Sequence, residues 1–320
     1  MTRPPSRIVL PVHEGVSASC VALPYGNWPL LVDFLAQRLP AVTRSQWLHR
    51  MAQGRVLGDN GAPLPPHAPY QGGTRVYYYR ELDVEPPVPF EECILYQDEH
   101  LLVADKPHFL PVTPTGRYVQ QTLLVRLKRR TGIATLSPIH RIDRETAGLV
   151  VFSTRPQDRG AYQALFRDQV VDKSYEAIAP LRHDLPLPTL HRSRIVPDTQ
   201  FFRQRETPGE PNSETHIELV ETLGALARYR LRPLSGKTHQ LRVHMNALGR
   251  PILGDLFYPH VLRGPREPDD FSHPLQLLAR TLGFTDPVTG ATRHFVSNLS
   301  LDLRAMAGSD FAAVQDCAGH

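Results

Sequence analysis

The chain has 320 residues, which is long enough for one large domain with a sizeable core and a smaller module beside it. Its hydrophobic fraction of 41% and charged fraction of 21% are ordinary for a globular protein, and they exclude a fibrous repeat or a wholly disordered chain. Lysine and arginine exceed aspartate and glutamate by 36 to 32, a mildly basic balance that suits a polyanionic partner but is shared by many enzymes of small molecules.

The cysteines and the amino-terminal segment bear on the compartment. Cys20, Cys93 and Cys317 are widely spaced and form no CxxC pair, which argues against a disulfide framework and a zinc knuckle. The apolar stretch after Arg7 is interrupted at Pro11, and no run approaches the roughly 20 apolar residues that span a bilayer. We therefore expect a cytoplasmic protein without a membrane segment.

The first predicted elements follow an amino-terminal arm, residues 1–27. Apolar residues recur at helical spacing over 30–39, and a second helix is predicted over 45–54, ending at a glycine that favours a left-handed C-cap. Short strands are predicted at 56–57 and 75–79. The order is thus helix, helix, then strands.

Four arginines surround these two helices: Arg38, Arg44, Arg50 and Arg55. With the Gly-x-Val sequence after the second helix, the arrangement resembles the small S4-type RNA-binding module. The resemblance implies an S4-like α/β domain at 28–84 that contacts RNA. The alternative is a helical cap whose arginines are merely solvated. The proline-rich stretch 85–89 is typical of a stiff spacer, and we place the domain boundary there.

Beyond the spacer, antiparallel strands dominate the predicted elements. Two buried strands at 93–96 and 101–104, joined by a polar turn, predict a hairpin. The helix predicted at 122–130 has a basic carboxyl end, which either complements the helix dipole or meets phosphates. The other predicted elements are strands at 148–153, 173–179, 216–221 and 227–231, helices at 157–166 and 238–248, and a weakly ordered tail after about residue 304.

The most informative segment is a charge-dense loop that runs into an apolar strand; residues 140–149 read HRIDRETAGL. Placing Asp143 between Arg141 and Arg144 favours the ionised carboxylate at neutral pH, as a nucleophile requires. Alone, the loop is also typical of a surface salt-bridge cluster.

Two further segments favour the catalytic interpretation: residues 173–177 read KSYEA, and residues 236–244 read GKTHQLRVH. Together the three segments resemble the RluA family of RNA pseudouridine synthases, whose catalytic loop has the form HRLDxxTSGL. The resemblance extends to 95–107 and 249–255, and it covers about residues 90–305. The combination of motifs is specific, whereas any single motif is not.

The chain departs from the family pattern at several positions. Ile142 replaces leucine, Ala147 replaces serine, and Lys237 replaces arginine, while residues 277–279 lack a histidine that many relatives carry. Lysine offers no bidentate fork, so the Lys237 change puts one phosphate or loop contact in doubt.

The resemblance implies a pseudouridine synthase fold, an α+β catalytic domain at 90–305 with a mixed, mainly antiparallel central sheet and an RNA-binding cleft, followed by a tail at 306–320. By position, it makes Asp143 the catalytic aspartate, Arg242 its buried ion-pair partner, and Tyr175 the aromatic ring under the target uracil. The helical spacing of His239, Arg242 and Met245 also predicts that Arg242 faces inward, where an arginine needs a carboxylate.

Breaking the bond between uracil N1 and the ribose leaves positive character on the anomeric carbon, which a carboxylate can stabilise or trap. A stacking ring can hold the detached base, and the Tyr175 hydroxyl is a candidate to help remove the C5 proton. A stacked uridine must also be flipped out, and the planar guanidinium of Arg141 suits the gap it leaves, although neutralising phosphate is the simpler role. The resemblance further assigns His140, Arg144 and Lys173 to substrate binding.

Other readings stay open at this point. His239 and His244 lie five residues apart, on different helix faces, without a nearby acidic or thiol ligand, so we expect no metal and no cofactor. Glu145 could pair with Asp143 as in a two-carboxylate glycosidase. The leading hypothesis is isomerisation of uridine in a stem-loop of ribosomal or transfer RNA by a monomer; the rivals are an RNA-binding protein without turnover and a hydrolase that releases the base.

Overall fold

The computed structural model of the protein describes residues 10–307, with the exception of 83, 184, 185, 201, 263, 265 and 266. The chain forms two compact units. The first runs up to Pro86 and includes Pro114–Gln120 and Val125–Ala134, whereas the second comprises Pro87–Thr113, Gln121–Leu124 and the chain from Thr135 onward. Cys317 and most of the predicted tail lie outside the described residues, as does the start of the predicted arm.

The first unit contains two helices and a three-stranded antiparallel sheet of order β1-β3-β2. Its elements are β1 (Ser19–Ala22), α1 (Leu31–Arg38), α2 (Arg44–Ala52), β2 (Val56–Leu57) and β3 (Arg75–Tyr78). Both predicted helices are confirmed, because apolar side chains on α1 and α2, among them Phe34 and Trp47, are buried in one core. Thr43 and Gln46 form a capping box at the start of α2.

The strand β1 differs from the sequence prediction, which placed its residues in an arm. It pairs with β3 along four residues, from Ser19 opposite Tyr78 to Ala22 opposite Arg75. Four residues alternating between half-buried and exposed carry too little apolar periodicity to be told from a loop.

The second unit is built on a large mixed sheet, whose main path has the order β10-β9-β11-β12-β8-β13-β7-β5-β4. Among the described strands only β13 and β7 pair in parallel, so the sheet is mainly antiparallel and the α+β prediction is confirmed. Its strands are β4 (Cys93–Gln97), β5 (Leu101–Lys106), β6 (Ser137–Pro138), β7 (Ala147–Ser153), β8 (Asp172–Pro180), β9 (Thr189–Pro197), β10 (Gln204–Thr207), β11 (Ser213–Leu223), β12 (Leu226–Pro233), β13 (Leu277–Thr285) and β14 (Thr292–Val296).

Four more helices complete the described elements: α3 (Leu123–Thr131), α4 (Arg159–Arg167), α5 (Gln240–Ala247) and α6 (Leu303–Ala307). The first three agree with predicted helices to within about two residues at most ends. The weakly ordered tail was predicted after about residue 304, but residues 305–307 lie in the short helix α6, where Leu303 is buried beside Leu301.

Most of the predicted strand pairing is confirmed. The hairpin β4-β5 is antiparallel, and the carboxylate of Asp98 accepts hydrogen bonds from the backbone N–H groups of His100 and Leu101 in its turn. The prediction that both strands are buried was wrong for β4, which is only half-buried because it lies at the sheet edge. The antiparallel pair β11-β12 is confirmed.

The helix α5 packs its apolar face against the sheet and thereby fixes the predicted catalytic region. Leu241 and Met245 lie in a core cluster with Ala177 of β8 and Tyr229 of β12. Arg242, between them in sequence, is also fully buried, as its predicted inward orientation requires. No helix within the described part of the chain is both long and apolar enough to cross a membrane.

Candidate active site

The charge-dense loop is positioned by a close approach of two main chains. Gly148 of β7 lies opposite Ala279 of β13, and a Cβ atom at Gly148 would come within 2.3 Å of the Ala279 carbonyl oxygen. Gly148 also has a φ of +108°, which L side chains rarely adopt. Since Ala279 in turn pairs with Tyr175 of β8, this row of the sheet brings the loop before β7 and the tyrosine into one region.

Asp143 and Arg242 form an ion pair in this region. The Nη1 atom of Arg242 donates to Oδ2 of Asp143 at 3.2 Å. The arginine side chain is completely buried, whereas the aspartate side chain is 24% exposed. One carboxylate oxygen is therefore held from inside the protein, while part of the group remains open to a ligand.

The closer partner of Arg242 is Asp255, a residue to which the sequence assigned no role. Nε and Nη2 of Arg242 each donate to one carboxylate oxygen of Asp255 at 2.7 Å, which is a bidentate pair between two fully buried side chains. Asp255 also accepts from the backbone N–H groups of Phe257 and Tyr258. The guanidinium is thus clamped in one orientation, with Nη1 left for Asp143.

The predicted flanking of Asp143 by two arginines was wrong as an explanation of its charge. Arg141 is exposed, and none of the described residues pairs with it. Arg144 donates instead to Asp269 at 2.9 Å and to Glu145 at 3.0 Å. Neighbouring side chains in a loop point in different directions, so the cation beside Asp143 comes from a residue 99 positions away.

Glu145 is a second buried acid in this cluster. Its carboxylate lies 3.8 Å from Nη1 of Arg242. Burial opposes its ionisation, but the guanidinium groups of Arg242 and Arg144 outweigh that effect and hold the pKa of Glu145 below its usual range. It is therefore an ionised structural acid, shielded from solvent.

Tyr175 is half-buried on β8 and packs against the core cluster beneath α5. Burial and the negative charge of Asp143 both raise the pKa of its hydroxyl above the usual value. At neutral pH the hydroxyl therefore carries its proton and can donate a hydrogen bond, but it is a poor base.

Two of the predicted substrate contacts, His140 and Lys173, are only partly exposed. The Nε2 atom of His140 accepts a hydrogen bond from the backbone N–H of Val151 at 3.1 Å, and its ring stacks on Phe166 with centroids 4.4 Å apart. Burial, with the nearby charge of Lys173, lowers the pKa of His140 to about 3, so the ring is neutral. Lys173 is half-buried, and its amine lies 3.5 Å from the Ser235 carbonyl oxygen.

His239 adds a group that the sequence considered only for metal binding. Its Nε2 lies 3.9 Å from Oδ2 of Asp143, and its Nδ1 lies 3.1 Å from the hydroxyl of Tyr258. It stands before α5 with a left-handed φ of 55°. Burial lowers the pKa of His239, so the ring is neutral at neutral pH. The helical periodicity indicated an inward face here, but not this contact.

Lys106, at the end of β5, is the least expected member of the region. It is completely buried, and its amine donates to the carbonyl oxygens of Pro107 and Arg144, both at 2.9 Å. Burial lowers the pKa of Lys106 to about 7, although the charges of Glu145 and Asp143 oppose the shift. It thus braces the main chain of the loop next to Asp143.

The depressed pKa of Lys106 predicts a pH-dependent stability. Between about pH 7 and the ordinary lysine pKa of 10.5, the unfolded chain binds a proton that the folded protein has released, so the free energy of unfolding rises with pH. We expect Lys106→Met to remove this rise. Urea midpoints at about pH 6 and about pH 9.5 measure it. Lys237→Met, which replaces an exposed lysine, should keep the wild-type rise in stability between the two pH values. The same rise in Lys106→Met would contradict the prediction.

Comparison with known proteins points to one family. The RNA pseudouridylate synthase family profile matches residues 100–247. An RNA pseudouridine synthase of Synechocystis, itself uncharacterised, is 31% identical over 233 residues, which is 71% of this chain and 79% of the relative. The dual-specificity RNA pseudouridine synthase RluA of Haemophilus influenzae is 32% identical over 229 residues, 67% of this chain and 96% of the relative.

Solved structures extend the likeness to the fold. Human RNA pseudouridylate synthase domain containing 1 superposes with a TM-score of 0.55 at 22% identity, covering 74% of this chain and 98% of that chain. Human RNA pseudouridylate synthase domain containing 4 gives a TM-score of 0.51 at 27% identity, covering 65% and 88%. The large mixed sheet is therefore that of a pseudouridine synthase.

Proposed function

Because this chain belongs to the RNA pseudouridylate synthase family, we propose that it isomerises uridine to pseudouridine in structured RNA, with Asp143 as the catalytic carboxylate. The observation that carries the assignment of Asp143 is its part-exposed carboxylate, held at 3.2 Å by the buried guanidinium of Arg242. Such a pair holds the acid in one orientation while leaving it accessible.

The chemistry needs one carboxylate and no outside oxidant or reductant. As the bond between C1′ and uracil N1 breaks, its electron pair leaves with the base, and Asp143 stabilises or traps the cationic C1′. The uracil turns in the pocket, its C5 bonds to C1′, the C5 proton departs, and N1 gains a proton. A covalent adduct and a glycal intermediate both use the same acid.

Arg242 and Asp255 serve this step by positioning. The bidentate clamp from Asp255 fixes the guanidinium, so Nη1 presents one donor to Asp143. We infer that Glu145 and Lys106 keep the loop in place around it, through Arg144. Asp255, Glu145 and Lys106 need not touch the RNA.

We propose that Tyr175 holds the detached uracil by stacking, and not by proton transfer. Tyr175→Phe keeps the ring and should retain kcat/KM within about tenfold of wild type, since the protonated hydroxyl is a weak base. Tyr175→Leu removes the stacking surface and should lower kcat/KM about 5- to 150-fold. Steady-state kinetics on one RNA measures both, and equal losses in the two variants would show that the hydroxyl acts in the chemistry.

The other residues predicted to bind substrate fall into two groups, those accessible to RNA and those bonded within the protein. We propose that the exposed Arg141 fills the gap left by the flipped uridine, and that Lys173 borders the pocket. His140 and Arg144 are engaged by Val151, Phe166 and Asp269, so we propose that they anchor the loop instead of contacting RNA directly.

We further propose that residues 28–84 act as an S4-like module that binds RNA beside the target. Arg44 pairs with Asp33 at 2.8 Å, and Arg55 pairs with Glu81, so these two charges are partly neutralised within the unit. The contribution of this module to RNA affinity should therefore be modest.

We also propose a cytoplasmic monomer acting on ribosomal or transfer RNA; the free, exposed Cys20 and Cys93 suit a reducing compartment.

The test is to incubate the protein with unmodified total RNA and to map pseudouridine by carbodiimide-dependent primer-extension stops. Stops that appear only with active protein support isomerisation. Abasic sites would instead identify a hydrolase, and RNA binding without stops would identify a protein that keeps the scaffold without turnover.

A further inference from the structure

We propose that His191, Glu206 and His244 form a binding site for a divalent transition metal of the zinc class. The three residues come from β9, β10 and α5 and lie outside the proposed uridine site. One ligand atom from each lies within 4.8 Å of the other two, and theirs is the one such group of histidine, cysteine and acidic residues found within the described chain.

The distances are close to those of a zinc site. Nε2 of His191 lies 2.8 Å from Oε1 of Glu206, and Nε2 of His244 lies 3.9 Å from the same oxygen. Ligand atoms around a tetrahedral zinc ion with bonds of about 2.0–2.1 Å are separated by about 3.3 Å. Opening the first distance and closing the second by about half an ångström would bring both pairs to that separation.

The surroundings of His244 prepare its Nε2 for a metal. The ring is fully buried, and its Nδ1 lies 2.9 Å from the hydroxyl of Thr215. A proton on Nδ1, donated to that hydroxyl, leaves Nε2 as the acceptor atom that a metal could bind in place of a hydroxyl; metal-binding histidines usually have such a partner. The hydroxyls of Ser193 and Ser213 lie 3.0 Å from Nε2, where a fourth ligand or a bound water would be.

No metal was expected from the sequence, because the members of this site are far apart in the chain. It suggested only His239 with His244, which face different sides of α5. In the structure His244 faces β9 and β11, where the pairing of β10 with β9 places Glu206 opposite Ile195 and brings its carboxylate to His191. Two imidazoles and one carboxylate are a donor set that zinc accepts readily.

A hydrogen-bonded cluster without metal is the competing explanation, since His191 and Glu206 already bond each other. The two explanations differ in what the cluster does when metal is supplied. A metal would tie the β9-β10 hairpin to α5, the helix that carries Arg242. It would stabilise the folded state by an amount that increases with the logarithm of the metal concentration relative to Kd.

The experiment uses the full chain, stripped with a chelator and dialysed. We expect one equivalent of Co²⁺ to bind with the visible absorption of a tetrahedral site, Zn²⁺ to displace it, and the melting temperature to rise. His191→Ala and Glu206→Gln alter side chains that are 20% and 26% exposed and should fold. Since loss of an outer partner costs about 10- to 100-fold in metal affinity, loss of a ligand should cost at least about 100-fold.

The matched control is His216→Ala, which removes the histidine of another histidine-glutamate pair on β11, 3.4 Å apart, and should bind metal like the wild type. Absence of the tetrahedral spectrum, or equal affinity in His191→Ala and wild type, would identify an adventitious surface ion and overturn the proposal. The readout is metal binding and not RNA turnover, so failure here leaves the isomerase assignment untouched.

Discussion

Replacing Asp143 with asparagine is expected to lower pseudouridine formation more than about 1,000-fold, equivalent to about 4 kcal/mol of activation free energy. The amide neither carries the negative charge that stabilises C1′ nor bonds to it. The fold should persist, because the buried Arg242 keeps its bidentate partner Asp255 and the nearby Glu145.

The variant is compared with wild type in two assays on the same RNA, single-turnover isomerisation and filter binding. Asp302→Asn, which alters a carboxylate at the start of α6, serves as a control for loss of one acid and should be fully active. Substantial turnover by Asp143→Asn would end the assignment, whereas lost turnover with retained binding supports it.

Arg242→Met should give the largest loss of stability, about 3–5 kcal/mol in the free energy of unfolding, because it leaves buried charge without its partner. The arginine and Asp255 are both completely buried, and Asp143 and Glu145 lie 3.2 and 3.8 Å from the same guanidinium. Methionine fills similar space but neutralises none of the three acids. Turnover should fall as well, since Asp143 loses the group that orients it.

Urea denaturation measures this effect through the midpoint, provided that the slope is unchanged. The control is Arg230→Met on β12, whose guanidinium is 42% exposed and pairs with Glu218 at 3.3 Å. A surface pair of this kind contributes about 0–1 kcal/mol. Similar losses in the two variants would show that burial of Arg242 does not carry the energy assigned to it.

Local patterns predicted the helices α1 to α5 and the two hairpins well, because each depends on neighbours within about a dozen residues. The strands β1, β6, β9, β10, β13 and β14 were missed. Sequence TLHRSRIVP of β9 mixes charged and apolar residues without a clear period, and its strand character comes from pairing with β11. Tertiary pairing of this kind leaves little trace in a short window.

The candidate site was likewise predicted only in part. Resemblance to known enzymes singled out Asp143, Tyr175 and Arg242, but the charged partners of these residues could not be inferred from their neighbours in the sequence. Arg144 finds Asp269 at a separation of 125 residues. The need for a carboxylate beside a buried arginine was foreseeable, yet which acid meets it depends on the packing of α5.

The cluster around the catalytic loop contains more acids than bases: Asp143, Glu145, Asp255 and Asp269 against Arg144, Arg242 and Lys106. With all seven groups ionised, these side chains carry a formal charge of −1. A phosphate group would be repelled there, whereas an uncharged pyrimidine would not. If the chain acts on uridine as we propose, this charge favours entry of the base and keeps the sugar-phosphate strand outside the cluster.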